Sequence, residues 1–312
     1  MKLGLDISGG DFAPRANVLG ALLALDQLPD HVEIFLIGNR EDIHHILEEK
    51  KVQSSRLTIV DAPEVITMED HPTRALPQKP NSSISVGFEL LSKGKIDSFA
   101  STGSTGAMLV GAMYKVNTIQ GVIRPCITSV LPILNGENSV LLDVGTNADC
   151  KPDVLYQFAN LGSLYSKNVM QIENPRVGLL NIGEEEGKGN LLTQSAYKLM
   201  KGSNEFSFVG NIEGRDLFSG KADVIVCDGF TGNIVLKQAE GIYTTMLKRG
   251  IQDEYFERFN YENYGGTPIL GINSDVIIGH GISNDKAVKN MLMLAFEVAD
   301  SQLTKKIKEA YK

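Results

Sequence analysis

The sequence is poor in the residues that metal sites, disulfide frameworks and membrane spans require. Its three cysteines, at positions 126, 150 and 227 of 312, form no CxxC pair and no Cys/His cluster. An odd number of widely spaced cysteines predicts free thiols in a reducing compartment such as the cytoplasm, and no metal site. No apolar run approaches the roughly 18 residues that a transmembrane helix needs. Because residues 3–7 already form an apolar segment, we expect no signal peptide.

Excess positive charge is also lacking. The chain has 30 Lys and Arg against 38 Asp and Glu, a formal net charge of −8, and it has no tryptophan. This balance excludes a general nucleic-acid footprint and a general attraction to anionic lipid, so an acidic partner would need a local basic patch. Several catalytic signatures are missing as well: the GxGxxG fingerprint of dinucleotide sites, the P-loop, and a Ser/His/Asp order.

What the chain does contain is a regular alternation of apolar strands and amphipathic helices. Parallel strands are predicted at 3–7, 33–37, 57–60, 98–100, 176–182, 206–209, 223–228 and 276–278, and an antiparallel pair at 127–134 and 139–144. Continuous apolar strands between helices indicate a mostly parallel sheet covered on both faces, a three-layer α/β fold. We expect a single domain over 1–312, an irregular proline-rich loop over 62–83, and one long closing helix from Asp285.

Polar, glycine-rich loops follow most of the predicted strands. The carboxyl ends of parallel strands share one edge of the sheet, where open α/β sheets bind their ligands. We therefore expect these loops to line one pocket, and the candidates in them are Asp6, Gly9, Gly10, Asn147, Gly183, Glu184, Asp228 and Gly229.

Residues 101–106 (Ser-Thr-Gly-Ser-Thr-Gly) stand between a short strand and a small-residue helix. Unpaired N–H groups at a helix start, flexible glycines and hydroxyls suit an anion. Thr102, Gly103, Ser104, Thr105 and Gly106 are therefore candidate phosphate-binding residues, and an ordinary capped turn is the alternative.

Three further side chains are candidates for the chemistry. Lys188 lies in an unusual loop, Gly-Glu-Glu-Glu-Gly-Lys-Gly-Asn over 183–190, and offers a fixed positive charge to an anion. The alternative for this loop is a solvated acidic turn. His280, between two glycines, could act as an acid, a base or a donor, or simply pack. Asn233 offers a neutral amide for recognition of an oxygen atom.

The segment 241–264 is predicted to form two helices broken at Gly250. Its apolar stripe includes Ile251 and Phe256, with Lys248 and Arg249 on other faces. Such a stripe could pack in the core, against a second copy of the chain, or against lipid.

Several of these stretches together resemble one known family, the phosphate acyltransferases of bacterial phospholipid synthesis. The resemblance runs through residues 6–14, 101–107, 143–152, 173–190, 210–215, 228–233 and 264–271, in order along nearly the whole chain. The block 173–190 is the most specific. The family more often has Asn at the position of Ser104, and Ala-Met where Ile7 and Ser8 stand.

The resemblance implies transfer of a long-chain acyl group from the thioester of acyl carrier protein to inorganic phosphate, giving acyl phosphate. It also implies a Rossmann-like fold with a protruding helical pair, no cofactor, a homodimer, and peripheral association with the cytoplasmic membrane. The product would feed a membrane glycerol-3-phosphate acyltransferase. Phosphate is already a nucleophile, so a site for it needs donors and a cation rather than an enzyme nucleophile. We expect residues 102–106 to hold phosphate, Lys188 to neutralise the transition state, and Asn233 or His280 to polarise the thioester carbonyl.

Three other functions are considered. A phosphotransacetylase-type enzyme would use coenzyme A in place of the carrier protein. A nicotinamide-dependent dehydrogenase is disfavoured by the missing fingerprint. A non-catalytic scaffold for acyl carrier protein at the membrane would show no phosphate-dependent loss of thioester.

Overall fold

The structure is a computed structural model that describes residues 1–312. Contacts between Cα atoms divide the chain into two compact units, residues 1–118 with 261–304 and residues 119–260 with 305–312. The expectation of a single domain over 1–312 stays a prediction.

The first unit contains six strands and seven helices. Its strands are β1 (Lys2–Asp6), β2 (Glu33–Gly38), β3 (Leu57–Asp61), β4 (Ser98–Ser101), β10 (Gly266–Leu270) and β11 (Asp275–Gly279). Its helices are α1 (Arg15–Leu25), α2 (Arg40–Glu49), α3 (Pro72–Gln78), α4 (Ser83–Ser92), α5 (Thr105–Gly111), α10 (Asp285–Asp300) and α11 (Leu303–Ala310), the last of which continues into the second unit.

The sheet of the first unit has the order β3-β2-β1-β4-β11-β10. All neighbours are parallel except β10, which runs antiparallel to β11. Strand β4 is buried along its whole length, so helices cover both faces of the sheet. Close packing is visible where α1 meets α10, since a Cβ on Gly20 would lie 2.5 Å from Cβ of Val288. The parallel register aligns the carboxyl ends of β1, β4 and β11.

The second unit holds the remaining strands and helices. They are β5 (Cys126–Pro132), β6 (Asn138–Leu142), β7 (Arg176–Leu180), β8 (Ser207–Ile212), β9 (Val224–Val226), α6 (Pro152–Asn168), α7 (Leu191–Lys201), α8 (Gly229–Lys248) and α9 (Glu254–Glu257).

Its strands run in the order β5-β6-β9-β7-β8, with only β5 antiparallel. Helix α6 packs on this sheet through Gly162, whose Cβ would lie 2.6 Å from Val224. Strand β9 is buried on both sides. The predicted mostly parallel, three-layer α/β fold is therefore confirmed.

The structure differs from the sequence-based expectations in several places. The irregular 62–83 loop contains the seven-residue α3, which Pro72 starts at its first position, where a helix tolerates proline. Strand β10 was not predicted because Gly-Gly-Thr-Pro resembles a turn. The closing helix is two helices, separated at Gln302 with φ of 55°.

The predicted break at Gly250 is confirmed, with φ of +69° there. The second helix of that pair, α9, is only one turn long. None of the helices combines the length and apolarity needed to cross a membrane.

Candidate functional site

In the first unit, the turns after β1 and β4 interlock backbone against backbone. A Cβ on Gly9 would lie 2.6 Å from the backbone nitrogen of Gly103, a distance that real Cβ atoms do not reach. The Thr102 hydroxyl donates to the Gly9 carbonyl at 2.8 Å. Gly10, with φ of +95°, has a backbone conformation that favours glycine. The structure thus brings Gly9, Gly10, Thr102 and Gly103 together, as the strand-end pattern predicts.

Asp6 links the turns after β1 and β4 by hydrogen bonds from a buried position. It is fully buried, accepts hydrogen bonds from the backbone of Ser8 (2.9 Å) and Gly9 (3.2 Å), and accepts one from the Ser101 hydroxyl at 2.6 Å. Burial raises the pKa of Asp6 above its ordinary value, and these hydrogen bonds oppose that rise. Because both of its carboxylate oxygens accept hydrogen bonds from the turns after β1 and β4, Asp6 has a structural role in holding these turns together.

Asn17 is a second residue that organises the turn after β1, and it is not among the predicted site residues. Its buried amide donates to the carbonyls of Asp6 (3.1 Å), Ile7 (3.0 Å) and Gly9 (2.8 Å). An isolated Asn in a predicted amphipathic helix carries no signal of such contacts, which appear only when α1 is placed beside β1.

The hydroxyls of the 101–106 loop are largely used by the loop itself. Ser101 accepts from the Gly103 N–H at 2.9 Å, and Ser104 caps α5 by accepting from the Ala107 N–H at 3.3 Å. The donors that remain for an anion are the N–H groups of Thr105 and Gly106 in the first turn of α5, which have no partner within the helix, the Ser104 hydroxyl, which only accepts in the cap, and the exposed Thr105 side chain.

His280 lies at the carboxyl end of β11, next to β4 in the sheet. Its ring packs on Tyr261, with centroids 5.0 Å apart. The neighbouring Gly281 carbonyl accepts from the Asp11 N–H at 2.7 Å, which ties this loop to the turn after β1. Asp6, residues 9–11, residues 101–106 and His280 therefore lie along three adjacent strand ends of the first unit.

In the second unit, Asp143 organises the loop after β6. This fully buried carboxylate accepts from the backbone N–H of Ile127 and Thr146, and from both the backbone N–H (2.6 Å) and the amide (2.9 Å) of Asn147. The Asn147 amide also donates to the Pro125 carbonyl at 2.9 Å. Asn147 therefore orders this loop through contacts within it. Asp143 was not predicted as a site residue.

The start of α8 contacts the loop after β6. Asp228 caps the helix by accepting from the Thr231 N–H at 2.8 Å, and the Gly229 N–H donates to the Asn147 carbonyl at 2.7 Å. The exposed Asn233 side chain reaches back to the Val144 carbonyl at 3.2 Å. Asn147, Asp228, Gly229 and Asn233 are thus neighbours at two strand ends of the second unit. The shared pocket expected for all the strand-end loops stays a prediction.

The 183–190 loop follows β7, one strand beyond β9 in the sheet. Amides from three elements hold its backbone: Asn181 donates to the Lys188 carbonyl, Asn211 to the Glu185 carbonyl, and Gln194 to the Gly187 and Gly189 carbonyls, all at 3.0–3.2 Å. A Cβ on the buried Gly183 would lie 2.8 Å from Cγ of Lys188. These hydrogen bonds give the loop a defined conformation, and Gly183 leaves the space that the Lys188 side chain occupies.

Ion pairs account for two of the three glutamates in this loop. Glu184 pairs with Lys221 and Glu186 with Lys201, each at 2.7 Å. The predicted candidate Glu184 is therefore neutralised by a lysine from another segment. Lys188 is exposed and makes no ion pair.

The three cysteines are unsuited to nucleophilic catalysis. Burial raises the pKa of Cys126 and Cys227 well above the ordinary value and that of Cys150 to about 12. Because the thiolate is the nucleophilic form, all three remain neutral thiols at physiological pH.

The predicted partner residues lie around the end of α8. Lys248 and Arg249 are exposed and make no ion pair, and 44% of Ile251 is exposed. Phe256, by contrast, is half-buried in an aromatic cluster with Tyr255 and Phe259. Its proposed contact with lipid or a second copy stays a prediction.

The fold resembles that of solved phosphotransacetylase structures. A phosphotransacetylase from Streptococcus pyogenes superposes with a TM-score of 0.69, over 96% of this chain and 94% of that one, at 17% identity. A 4-hydroxythreonine-4-phosphate dehydrogenase from Klebsiella pneumoniae gives 0.59, over 96% and 99%, at 12% identity. At such identities the likeness concerns the fold.

Sequence comparison identifies the family. The profile of a family described as fatty acid synthesis protein matches residues 1–255. Phosphate acyltransferases from Dictyoglomus thermophilum and Wolinella succinogenes are each 42% identical, covering 99% and 100% of this chain and 97% and 98% of their own. The chain belongs to this phosphate acyltransferase family. The predictions of an enzyme and of this family are confirmed.

Proposed function

We propose that this enzyme transfers a long-chain fatty acyl group from the thioester of acyl carrier protein to inorganic phosphate, releasing acyl phosphate for phospholipid synthesis. The observation that carries the proposal is identity above 40% to phosphate acyltransferases over essentially the full chain. The loop geometry adds a physical account of how such a reaction proceeds without a covalent enzyme intermediate.

The proposed phosphate-binding residues are 102–106, in the loop after β4. Interlocked glycine backbones leave no side chain between the turns after β1 and β4. The N–H groups of Thr105 and Gly106 and the Thr105 hydroxyl are the donors offered to phosphate oxygens. Thr102 shapes the loop by donating its hydroxyl to the Gly9 carbonyl. The Ser104 hydroxyl only accepts in the cap of α5, so its own proton is also offered to a phosphate oxygen.

The proposed cation is Lys188, in the loop after β7. Lys188 is proposed to neutralise the negative charge that develops as phosphate attacks, since its acidic neighbours Glu184 and Glu186 are paired elsewhere. A fixed cation aimed at developing charge lowers the barrier without reorganisation. Asn233 or His280 is proposed to polarise the thioester carbonyl.

The chemistry needs no enzyme-bound ester. A phosphate oxygen attacks the thioester carbonyl carbon, the tetrahedral oxyanion collapses, the C–S bond breaks, and the carrier thiolate leaves with the bonding pair. The new bond joins the acyl carbon to a phosphate oxygen. The neutral cysteine thiols agree with this direct transfer.

The remaining expectations are part of the same proposal. Acyl carrier protein is acidic, and Lys248 and Arg249 offer it unpaired positive charge. We further propose a homodimer that works in the cytoplasm, associates peripherally with the cytoplasmic membrane, and passes its product to a membrane glycerol-3-phosphate acyltransferase.

The decisive experiment incubates the purified protein with palmitoyl carrier protein and phosphate, then measures free carrier thiol and acyl phosphate. We expect both to appear in equal amounts and only with phosphate present. The matched reaction uses palmitoyl coenzyme A. Faster turnover of coenzyme A thioester would favour the phosphotransacetylase-type reaction, and phosphate-independent or absent thioester loss would reject the proposal.

A further inference from the structure

An aromatic cavity lies in the second unit, between α8, α9 and the segment that follows β8. Its volume is about 270 Å³. The lining is almost entirely apolar and comprises Leu134, Arg215, Phe218, Ser219, Ala239, Ile242, Tyr255, Phe256 and Phe259. We call it the aromatic cavity. None of the candidate catalytic residues lies in it.

The walls of the aromatic cavity are held in place by polar contacts outside it. The Tyr255 hydroxyl donates to the Pro132 carbonyl at 3.1 Å, and Arg258 donates to the Ile133 carbonyl at 3.0 Å. The Phe218 carbonyl accepts from the Leu134 N–H at 3.0 Å. The Phe218 and Phe259 rings meet edge to face, with centroids 5.3 Å apart. A cavity supported in this way persists instead of collapsing.

The composition of the lining restricts the ligand. A polar molecule would lose its hydrogen bonds to water without replacement, whereas an alkyl chain gains from leaving water. Since one water takes about 30 Å³ of the liquid, the cavity has room for several methylene-sized groups in a row. The one charged lining residue is Arg215, whose exposed guanidinium is paired with Glu213.

The aromatic cavity is also coupled to the loop that carries Lys188. Residues 213–221 supply Arg215, Phe218 and Ser219 to the lining, and the same segment supplies Lys221. The Lys221 ammonium pairs with Glu184 of the 183–190 loop at 2.7 Å and lies 3.4 Å from Asp216. One short segment therefore touches both the apolar space and the proposed catalytic loop.

We propose that the aromatic cavity binds the alkyl chain of the acyl group and makes the enzyme selective for long chains. The inference rests on the proposed function, which supplies a substrate with such a chain. A short acyl group lacks the carbons that fill the cavity, so its transfer does not depend on this space. A long chain gains binding free energy with every methylene that is buried there.

The test fills the cavity. Ala239 is buried in the lining, and Ala239→Leu adds a branched side chain within a helix that accepts it. We expect the ratio of kcat/KM for palmitoyl over hexanoyl carrier protein to fall about tenfold or more, the effect of about two unburied methylenes. Gln238→Leu makes the same side chain at the neighbouring exposed position of α8 and is expected to leave the ratio unchanged.

Two further measurements keep the outcome clear. Leu134→Glu places a charge at the exposed entrance, where folding is not at risk, and is expected to lower the same ratio. Dodecyl phosphate, an unreactive chain with an anionic head, is expected to bind the wild type in calorimetry and to bind Ala239→Leu more weakly.

The two hypotheses fail in different ways. If the wild type transfers neither acyl group to phosphate, the proposed function is wrong, and dodecyl phosphate binding then tests the cavity alone. If the wild type is active while folded Ala239→Leu and Leu134→Glu both keep the wild-type ratio, the cavity proposal is overturned.

Discussion

Lys188 differs from Lys201 and Lys221, the two lysines that pair with glutamates of its loop, in having no acidic partner. Lys201 and Lys221 neutralise Glu186 and Glu184, and they approach from sequence positions 15 and 37 residues away. The composition of the 183–190 loop indicates Lys188 as a candidate cation. It does not show whether a glutamate of the loop forms an ion pair with Lys188. Ion pairing from distant segments leaves this ammonium group available to a ligand.

Replacing Lys188 with alanine is expected to reduce turnover about 100-fold or more, the usual effect of removing one group that stabilises a developing oxyanion. Steady-state rates with palmitoyl carrier protein and phosphate measure this. Lys188→Arg keeps the charge and should recover part of the rate. Lys198→Ala removes an exposed lysine from the neighbouring α7 and serves as the control. An unchanged turnover number for folded Lys188→Ala would exclude the proposed role.

Two residues that organise these loops, Asn17 and Asp143, are not among the predicted site residues. Asn17 lies in a helix whose other features are those of an ordinary packed helix, and it organises the turn after β1. Asp143 follows an apolar strand and bonds to Ile127 on another strand. Their roles depend on hydrogen-bond partners that adjoining elements bring, so local pattern alone cannot reveal them.

At the scale of elements, the first unit is built on two strand-end turns in backbone contact. Both turns are rich in glycine, which the sequence shows, but the need for glycine arises from the approach of β1 and β4 as neighbours. Gly9 and Gly103 leave no room for a side chain between them. The 101–106 loop is therefore positioned by the turn after β1.

Gly9→Ala is expected to destabilise the protein by about 1–3 kcal/mol, because the added methyl group must displace the Gly103 backbone. It should also weaken phosphate binding, seen as a higher KM for phosphate. Gly214→Ala is the control, since a Cβ there would meet nothing within 4 Å. Denaturant unfolding and phosphate titration measure the two effects. Wild-type stability and KM in Gly9→Ala would show that the turns can separate without loss.

At the scale of the whole molecule, apolar side chains near the end of α8 remain uncovered. Leu247 and Ile251 are each 44% exposed, and they flank the unpaired charges of Lys248 and Arg249. Phe256, which the sequence groups with Ile251, is instead held in the aromatic cluster. Exposed apolar groups beside cations are typical of a surface that meets anionic lipid.

The double variant Leu247→Glu/Ile251→Glu is expected to lose binding to vesicles of phosphatidylglycerol and phosphatidylethanolamine. Two carboxylates at an anionic surface add repulsion and remove apolar contact. Flotation in a density gradient measures the bound fraction. Leu199→Glu, which alters a similarly exposed leucine on α7, is the control. Equal flotation of wild type and the folded double variant would contradict the membrane proposal.

The sequence by itself determined the alternation of strands and helices, the places where strands end, and the family, because these depend on periodicity, turn residues and motifs that neighbouring positions carry. It could not predict α3 or β10, whose prolines and glycines resemble a loop. Only the tertiary structure decided which polar groups are used internally and which remain for ligands. The hydrogen bond between Ser101 and Asp6 joins residues 95 positions apart, and the ion pair between Lys221 and Glu184 joins residues 37 positions apart. Such partners come into contact only when the strands that carry them align.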